Sequence, residues 1–535
     1  MNRFFEKKWE KGVIALLLGL AGLGVVFRFW NIAQNNFFLY DEGLYLNYNL
    51  TLLRFIDGHH FTGFQDYWDA FYALIRFALN SGKALWFVLV DSRAFWGLLE
   101  VWSFPRIVSA LAGSLTLWGV YLFAKRFYNS RWVGLLSVVT LALLPSHIFY
   151  SRLAFQEALC TFFFVWGIYF YVFPRKFGWR TFLSAFFFVC VYFTNYRLII
   201  APALIGFVEL YTSLAEREKF NLRKYVWHTL MFFCGVFLIG DINDGSNTRT
   251  TFSWMFHQAN MAEGKFEIFN LLSYPYYVFR LDSVFAGLLF FGNIYFLLRR
   301  EWRKALPFLL MAVMMAIFSL PYEKGARYIC VGLPFLAVAI GALLYSLFQG
   351  RQEARSRWMV VGLTAVLWLS FIPKVWGIVS AYSDYERSVK LIKKNDPRAK
   401  VISTQPQVQN LFVPQALDVV SVRKNVEDIL TLYAQGYHYL VIDPQAYVSY
   451  TESDRRFVPP LLPYMEFVTA RIRPLKTFEH FNEAIFERFV FEHNENLRHS
   501  LKFLSENNER YRTLRIYPLK PLVEILAQYG LKEKP

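Results

Sequence analysis

Charge is what this sequence has least of. Only 18% of its 535 residues are Asp, Glu, Lys or Arg, where a soluble globular chain runs nearer a quarter. That shortage argues against a water-soluble protein. Cysteine is scarce too. Cys160, Cys190, Cys234 and Cys330 each stand alone inside an apolar stretch. With no close-spaced ligand pattern they make neither a zinc site nor a disulfide frame, and they read as small buried hydrophobes. There is no glycine-rich phosphate loop, which argues against nucleotide hydrolysis. A serine-nucleophile elbow and the HExxH metalloprotease pattern are both missing. The net charge is +17, yet no zinc-finger, RNA-binding or helix-turn-helix pattern accompanies it, so nucleic acid is not an expected partner. Repeats and low-complexity tracts are not evident.

Apolar residues are abundant: 56% of the chain is hydrophobic and 20% aromatic, with 57 Phe. A bilayer core takes about 20 mostly apolar residues per helix. About eleven stretches qualify: 13–30, 104–124, 132–149, 155–173, 181–193, 198–213, 226–240, 277–298, 305–320, 328–348 and 358–380. The first is too long, and is followed by too many others, to be a cleaved signal peptide. With a cytoplasmic N-terminus the inside segments hold 21 Lys or Arg in 50 residues, and the outside loops hold 10 in 125. Every inside loop is basic, as in KRFYNSR, PRKFGWR and RREWRK. Lys and Arg gather in cytoplasmic loops of membrane proteins, so this orientation is the expected one, and it accounts for the positive net charge.

The expected fold class is therefore a polytopic α-helical membrane protein. A membrane domain covers 1–381 and a polar domain covers 382–535. An odd number of spans puts the polar domain outside, in the periplasm or at the cell exterior, with the protein in the inner or plasma membrane. Its runs KVIST, VEDILTLYAQG and YHYLVID alternate strand-like and helix-like character, as in a small α/β module. The first outside loop, 31–103, is long. Its segments 66–79 and 84–90 fit helices lying in the membrane interface, where a lipid headgroup could be handled.

The most informative local feature is FFLYDEGLYL, 37–46, in which Asp41 and Glu42 follow the outer end of the first span. Carboxylates near hydrocarbon are costly and are functional candidates by default. Low dielectric and adjacent like charges both raise a carboxyl pKa, which suits a general base for an acceptor hydroxyl. The plain alternative is that the pair marks the water interface. Glu157, in SRLAFQEAL at the outer turn before the fourth span, is the second candidate; the alternative is a structural ion pair with Arg152 or another helix. Arg197 in TNYRLII and Lys324 and Arg327 in PYEKGARY are cations on the cation-poor side. Arg can clamp phosphate with a bidentate fork, and interfacial snorkelling is the alternative. Arg280 is a weaker candidate. His59 and His60, near Asp57 and Asp66, could take a metal, although adjacent histidines point apart on most backbones. His147 and His257 read as structural.

These patches resemble the GT-C class of integral-membrane glycosyltransferases, in the branch of the protein O-mannosyltransferases and the lipid A aminoarabinose transferase. The residues that carry the resemblance are YDEGLY after the first span, the block RIVSALAGSLTLWGVYLFAKRFYNSRWVGLLSVVTLALLPSHIFYSRLAFQEAL over 106–159, and ARYICVGLPFLAVAIG over 326–341. The layout matches over roughly 13–380, the detail only in these patches. The resemblance implies a GT-C-like fold and a polyprenyl- or dolichyl-phosphate sugar as donor. It implies inverting transfer to a hydroxyl of a lipid, glycan or protein acceptor at the outer face of the bilayer. Asp41 would then be the base or position the acceptor, with Glu42 as its partner or as ligand to a divalent metal ion. Glu157 matches a second acid of the family. Arg327 would hold the donor phosphate, helped by Arg197 and Lys324; relatives often have a lysine at the position of Arg197. The central domain typical of the eukaryotic protein O-mannosyltransferases is missing, which favours a prokaryotic cell-envelope enzyme. Two rivals remain: a transporter or lipid-linked sugar flippase, and a non-catalytic binding protein. The first predicts inverted repeats and broken helices at mid-membrane, and the second sits poorly with an intact acidic pair.

Overall fold

The structure, a computed structural model, describes residues 2–32, 42–43, 45–46, 65, 68–69, 71–75, 84–91, 103–173, 175–241, 253, 256, 268–321, 324–350, 353–409, 417–418, 427–444, 470–492, 497–506 and 512–528. Asp41, His59, His60 and His257 lie outside the described residues. The chain divides into two compact units. The first comprises Met1–Ile32, Thr51–Val379 and Glu495–Leu497, and the second Ala33–Leu50, Ser380–Asn494 and Arg498–Pro535. The segment that includes Glu42 thus groups with the polar C-terminal residues.

The first unit is helical. Its principal helices are α1 (Asn2–Phe29), α2 (Ser103–Phe127), α3 (Arg131–Leu143), α4 (Glu157–Val172), α5 (Trp179–Thr194), α6 (Ala201–Glu216), α7 (Leu222–Asp241), α8 (Val284–Phe291), α9 (Trp302–Phe318), α10 (Leu333–Gln349) and α11 (Ala354–Val379). A bilayer offers backbone groups no hydrogen bonds, so spanning segments satisfy them internally as helices. Six of the described helices are long and apolar enough to cross a membrane, by length and composition. They lie at Glu10–Phe29, Ser103–Phe127, Tyr196–Glu216, Leu222–Ile239, Ala326–Gln349 and Arg355–Val379. Four shorter apolar helices accompany them. The protein is a membrane protein, and Leu16, Trp118, Leu238 and Trp376 stand exposed on its helices, where lipid would cover them.

Helix α10 is central: every residue from Leu333 to Leu344 is buried. It packs on α3, and Gly341 makes the approach possible. A Cβ there would sit 2.5 Å from Ser137 Oγ and 2.8 Å from the Ser137 backbone nitrogen. Small residues at such crossings let helix backbones close on each other where no hydrophobic force acts between helices. The cysteines depart in part from expectation. Cys160 and Cys330 are buried, Cys190 is half-buried and Cys234 is exposed. Cys234 sits on α7, a helix whose face is largely uncovered by the protein, so an apolar stretch does not make it a core residue.

A charged knot ties α4, α6 and α7 at one end. Glu209 on α6 is fully buried, with Lys224 Nζ at 3.8 Å and the Arg175 guanidinium at 4.0 Å. Lys224 Nζ also donates to the Tyr171 carbonyl at 2.5 Å. Arg175 further bridges Glu216 at 3.3 Å and Glu218 at 3.4 Å.

The second unit contains a five-stranded mixed sheet of order β2-β1-β3-β5-β4. The strands are β1 (Lys400–Ser403), β2 (Leu417–Asp418), β3 (Tyr437–Ile442), β4 (Lys476–Glu479) and β5 (Thr513–Pro518). Strands β2, β1 and β3 run parallel, and β5 pairs antiparallel with β3 and β4. Ile402, Leu440, Ile442 and Tyr517 form the core with Ile429 and Leu430 of the helix Glu427–Ala434 and with Leu522 and Leu526 of the helix Lys520–Gln528. In a second buried cluster the Tyr385 hydroxyl donates to Asp443 at 2.5 Å. The Asp384 backbone N–H donates to His480 Nδ1 at 3.1 Å, and burial pushes the His480 imidazole down to about 3.

Arg175 keeps Glu216 and Glu218 if Glu209 is lost, but Lys224 has no second carboxylate in the knot. Glu209→Ala leaves the buried Lys224 ammonium with the Tyr171 carbonyl but without its counter-ion, and is expected to destabilise the helical unit by about 3–5 kcal/mol. A large drop in the detergent-solubilised unfolding midpoint is the expected reading, and the double variant Glu209→Leu/Lys224→Leu should restore much of it.

Candidate functional site

Helix ends and irregular turns position the candidate residues. Glu157 opens α4 and is 3% exposed. A carboxylate in a first helical turn is favoured by the helix dipole, which helps explain how a charged side chain is tolerated there. The Glu157 carbonyl also accepts from Thr161 Oγ1 at 2.7 Å. The expected alternative of a Glu157–Arg152 pair does not hold among the described residues. Arg152 instead reaches the end of α1, donating to the carbonyls of Phe27 at 2.5 Å and Arg28 at 3.4 Å. Those carbonyls lie in the last helical turn, where no intrahelical N–H answers them.

Arg197 and Arg327 come together, although 130 residues separate them in the chain. Arg197 lies on a 3-10 turn, Tyr196–Ile200, whose cap Asn195 accepts the Arg197 backbone N–H at 3.2 Å. Arg327 lies on another, Ala326–Gly332, which runs into α10. Arg197 stacks over the Tyr328 ring at 4.3 Å, and Arg327 lies 5.6 Å from the same ring and 5.8 Å from that of Phe155. The two guanidiniums are thus within about 10 Å of each other. The Arg327 turn packs on α4, where Thr161 Oγ1 meets Cys330 Sγ at 3.5 Å, and Phe155 is two residues from Glu157. One acid and two arginines therefore gather around the start of α4. Lys324 is turned back on its own loop: its ammonium donates to the Pro321 carbonyl at 2.9 Å, and its carbonyl accepts from the Tyr277 hydroxyl at 3.2 Å. Arg280 is exposed, and its carbonyl accepts from Lys374.

Glu42 belongs to the second unit and is fully buried. Its neighbour Gly43 lies directly against Val408, on the short helix Pro406–Gln409 that follows β1. A Cβ at residue 43 would sit 2.6 Å from Val408 Cγ2 and 3.3 Å from its Cα and backbone nitrogen. Only glycine permits that approach. Among the described residues, no group of three or more His, Cys, Asp or Glu could hold a metal ion.

No protein-family model and no curated protein matches the sequence. Solved structures do match. The archaeal oligosaccharyltransferase AglB from Archaeoglobus fulgidus, in complex with an inhibitory peptide and a dolichol-phosphate, aligns at 12% identity with a TM-score of 0.50. The alignment covers 87% of this chain and 72% of AglB. ArnT from Cupriavidus metallidurans, bound to undecaprenyl phosphate, aligns at 12% identity and a TM-score of 0.50, covering 95% of this chain and 98% of ArnT. The same archaeal enzyme tethered to an acceptor peptide aligns at 10% identity and a TM-score of 0.53. The chain has the GT-C fold.

In this GT-C chain the structure adds an acid that sequence reasoning passed over. Asp282 ends a π-helical turn, Val278–Asp282, and is 1% exposed. Its carboxylate accepts the Ser146 backbone N–H at 2.7 Å, capping the helix Pro145–Tyr150. The signal was present in RLDS, 280–283: an acid inside an apolar stretch, beside the Arg280 that drew notice instead. His147, read as structural, accepts at Nδ1 from Arg28 at 2.6 Å.

The Gly43–Val408 contact gives a direct test. Gly43→Ala forces a methyl onto Val408, and overpacking of this kind costs typically about 1–3 kcal/mol. Thermal unfolding followed by intrinsic fluorescence should show a lowered midpoint, with Gly43→Val lower still.

Proposed function

We propose that the chain is a glycosyltransferase that moves a sugar from a polyprenyl- or dolichyl-phosphate donor to a hydroxyl of a lipid, glycan or protein acceptor. The observation that carries the reading is the Arg197–Arg327 pair stacked on Tyr328 beside the start of α4. Two planar guanidiniums on one aromatic ring make a site for a phosphate that must be held and then released as a more charged leaving group. The likeness of fold supports it, since AglB and ArnT are recorded with a dolichol-phosphate and undecaprenyl phosphate.

In the proposed reaction the acceptor hydroxyl loses its proton to Asp41 as its oxygen attacks the anomeric carbon, with Glu42 and Glu157 assisting. The bond from that carbon to the phosphate oxygen breaks, and the electron pair leaves with the lipid phosphate. Arg327 and Arg197 meet the developing charge. A single displacement inverts the anomeric centre. Lys324, whose ammonium donates to the Pro321 carbonyl on the loop before Arg327, adds its charge to that of the two arginines at the phosphate. A divalent metal at Glu42 would add charge stabilisation of the same kind. The basic-loop count supports placing this chemistry, and the second unit, on the extracytoplasmic side of a plasma or inner membrane.

Two sets of variants separate the roles, assayed in nanodiscs with a defined lipid-phosphate sugar. Asp41→Asn is expected to lower kcat about 10²–10⁴-fold, the usual range for a lost general base, with the folded protein recovered at wild-type yield. Near wild-type turnover would remove Asp41 from the chemistry. Arg327→Ala should lower kcat/KM about 10²–10³-fold, as loss of an oxyanion donor does. Arg197→Ala should act in the same direction. An unchanged donor KM and kcat in the Arg197→Ala/Arg327→Ala double variant would contradict the phosphate assignment.

A further inference from the structure

The turn that follows β1 in the second unit carries two amides that the fold leaves unanswered. Gln405 is 1% exposed and Gln409 is fully buried. Gln405 Oε1 and both Gln409 side-chain polar atoms find no hydrogen-bond partner among the described residues. The Gln409 backbone N–H donates to the Gln405 carbonyl at 3.0 Å, so the two residues stand one helical turn apart, at the i and i+4 spacing that shares a face. Buried polar atoms are almost always satisfied, and exceptions call for an explanation. Val408, between them in sequence, is the residue against which Gly43 is seated. The amides therefore lie beside the segment that carries Glu42.

Their place in the sheet points the same way. Strand β1 lies between β2 and β3, all three parallel. The chain leaves β1 toward β2 on one side and returns as β3 on the other. That is a topological switch point, and ligands of open α/β sheets bind outside the carboxyl ends of the strands there. Gln405 stands at the carboxyl end of β1. Thr404 and Asp443, at the carboxyl ends of β1 and β3, are already engaged: the Asp443 backbone N–H donates to Thr404 Oγ1 at 3.0 Å, and the Tyr385 hydroxyl donates to the Asp443 carboxylate.

We propose that Gln405 and Gln409 form a subsite that reads the hydroxyls of a neutral sugar ring. An amide offers donors and an acceptor together without charge, which matches hydroxyl groups that both donate and accept. The Asp443 carboxylate, on the residue whose backbone N–H reaches Thr404, disfavours an anion beside Gln405, and the Tyr385 bond to Asp443 leaves the amides as the groups still to be answered. The inference rests on the transferase reading only for the source of the sugar, which is either the donor's transferred residue or the acceptor glycan.

The test is saturation-transfer NMR on the full chain in nanodiscs with methyl glycosides of common hexoses and pentoses. At least one glycoside should receive saturation, and Gln405→Met and Gln409→Met should each weaken its binding about tenfold. Gln409→Glu, which keeps acceptors and loses donors, should weaken it as well. Because methionine removes an unanswered buried amide at similar volume, the Met variants should unfold no earlier than wild type. A sugar-bearing short-chain polyprenyl phosphate that displaces the glycoside, where the sugar-free lipid phosphate does not, would assign the subsite to the donor sugar; displacement by neither would assign it to the acceptor. Absence of saturation for every glycoside, or unchanged binding in the Gln405→Met/Gln409→Met double variant, would overturn the proposal. Retained transfer by Asp41→Asn would overturn the catalytic reading alone and leave the glycoside result standing.

Discussion

A guanidinium buried among helices has few acceptors within reach, and in this protein it takes them from helix ends. Arg28 donates to the carbonyls of Gly24 at 2.5 Å, Ala142 at 2.9 Å and Leu141 at 3.3 Å. Arg152 takes those of Phe27 and Arg28, and Arg106 takes that of Ile32 at 3.2 Å. The oxygens of Phe27, Arg28 and Ala142 belong to the last turns of α1 and α3, where they have no intrahelical partner and carry the negative end of the helix dipole. The arrangement answers both needs together: the arginines are held and the orphaned carbonyls are answered. A buried cation without such partners would cost several kcal/mol. The ends of α1 and α3 are thereby locked to each other, and the chain continues from the locked end of α3 through Pro145–Tyr150 to Glu157.

The groups that can do chemistry in the helical unit sit where regular helix gives way. Arg197 and Arg327 ride on 3-10 turns, Asp282 closes a π-helical turn, and Glu157 opens a helix. Irregular backbone of this sort is tolerated in a membrane protein only where other protein groups satisfy it, and it collects at functional places. Asn195, Asp282 and Tyr277 supply that satisfaction here, through hydrogen bonds to the backbone at Arg197, Ser146 and Lys324. The Tyr328 ring then brings the two arginines together, a convergence that no spacing in the chain announces.

Much of the helical layout was legible because hydropathy is a composition signal that survives without tertiary context. Stretches 104–124 and 328–348 are apolar enough to be read directly, and they are α2 and the 3-10 turn with α10. The runs KVIST and YHYLVID read as strands because β-branched and aromatic residues suit a pleated surface, and they are β1 and β3. Pairwise partners were not legible. Arg152 stands five residues before Glu157, and that spacing suggested an ion pair, yet its chemistry goes to carbonyls 125 residues back in the chain. Cys234 looked buried because its neighbours are apolar, but an apolar helix facing lipid exposes what a core helix hides. Gln405 and Gln409 drew no notice, because an amide in a polar segment is unremarked until burial removes its water.

The measurement that bears most directly on this account is the structure of the full chain determined in nanodiscs with a polyprenyl phosphate. Phosphate density is expected between Arg197 and Arg327, near the Tyr328 ring, with the start of α4 and Glu157 alongside. Phosphate density bound elsewhere, with the two guanidiniums still stacked and empty, would contradict it.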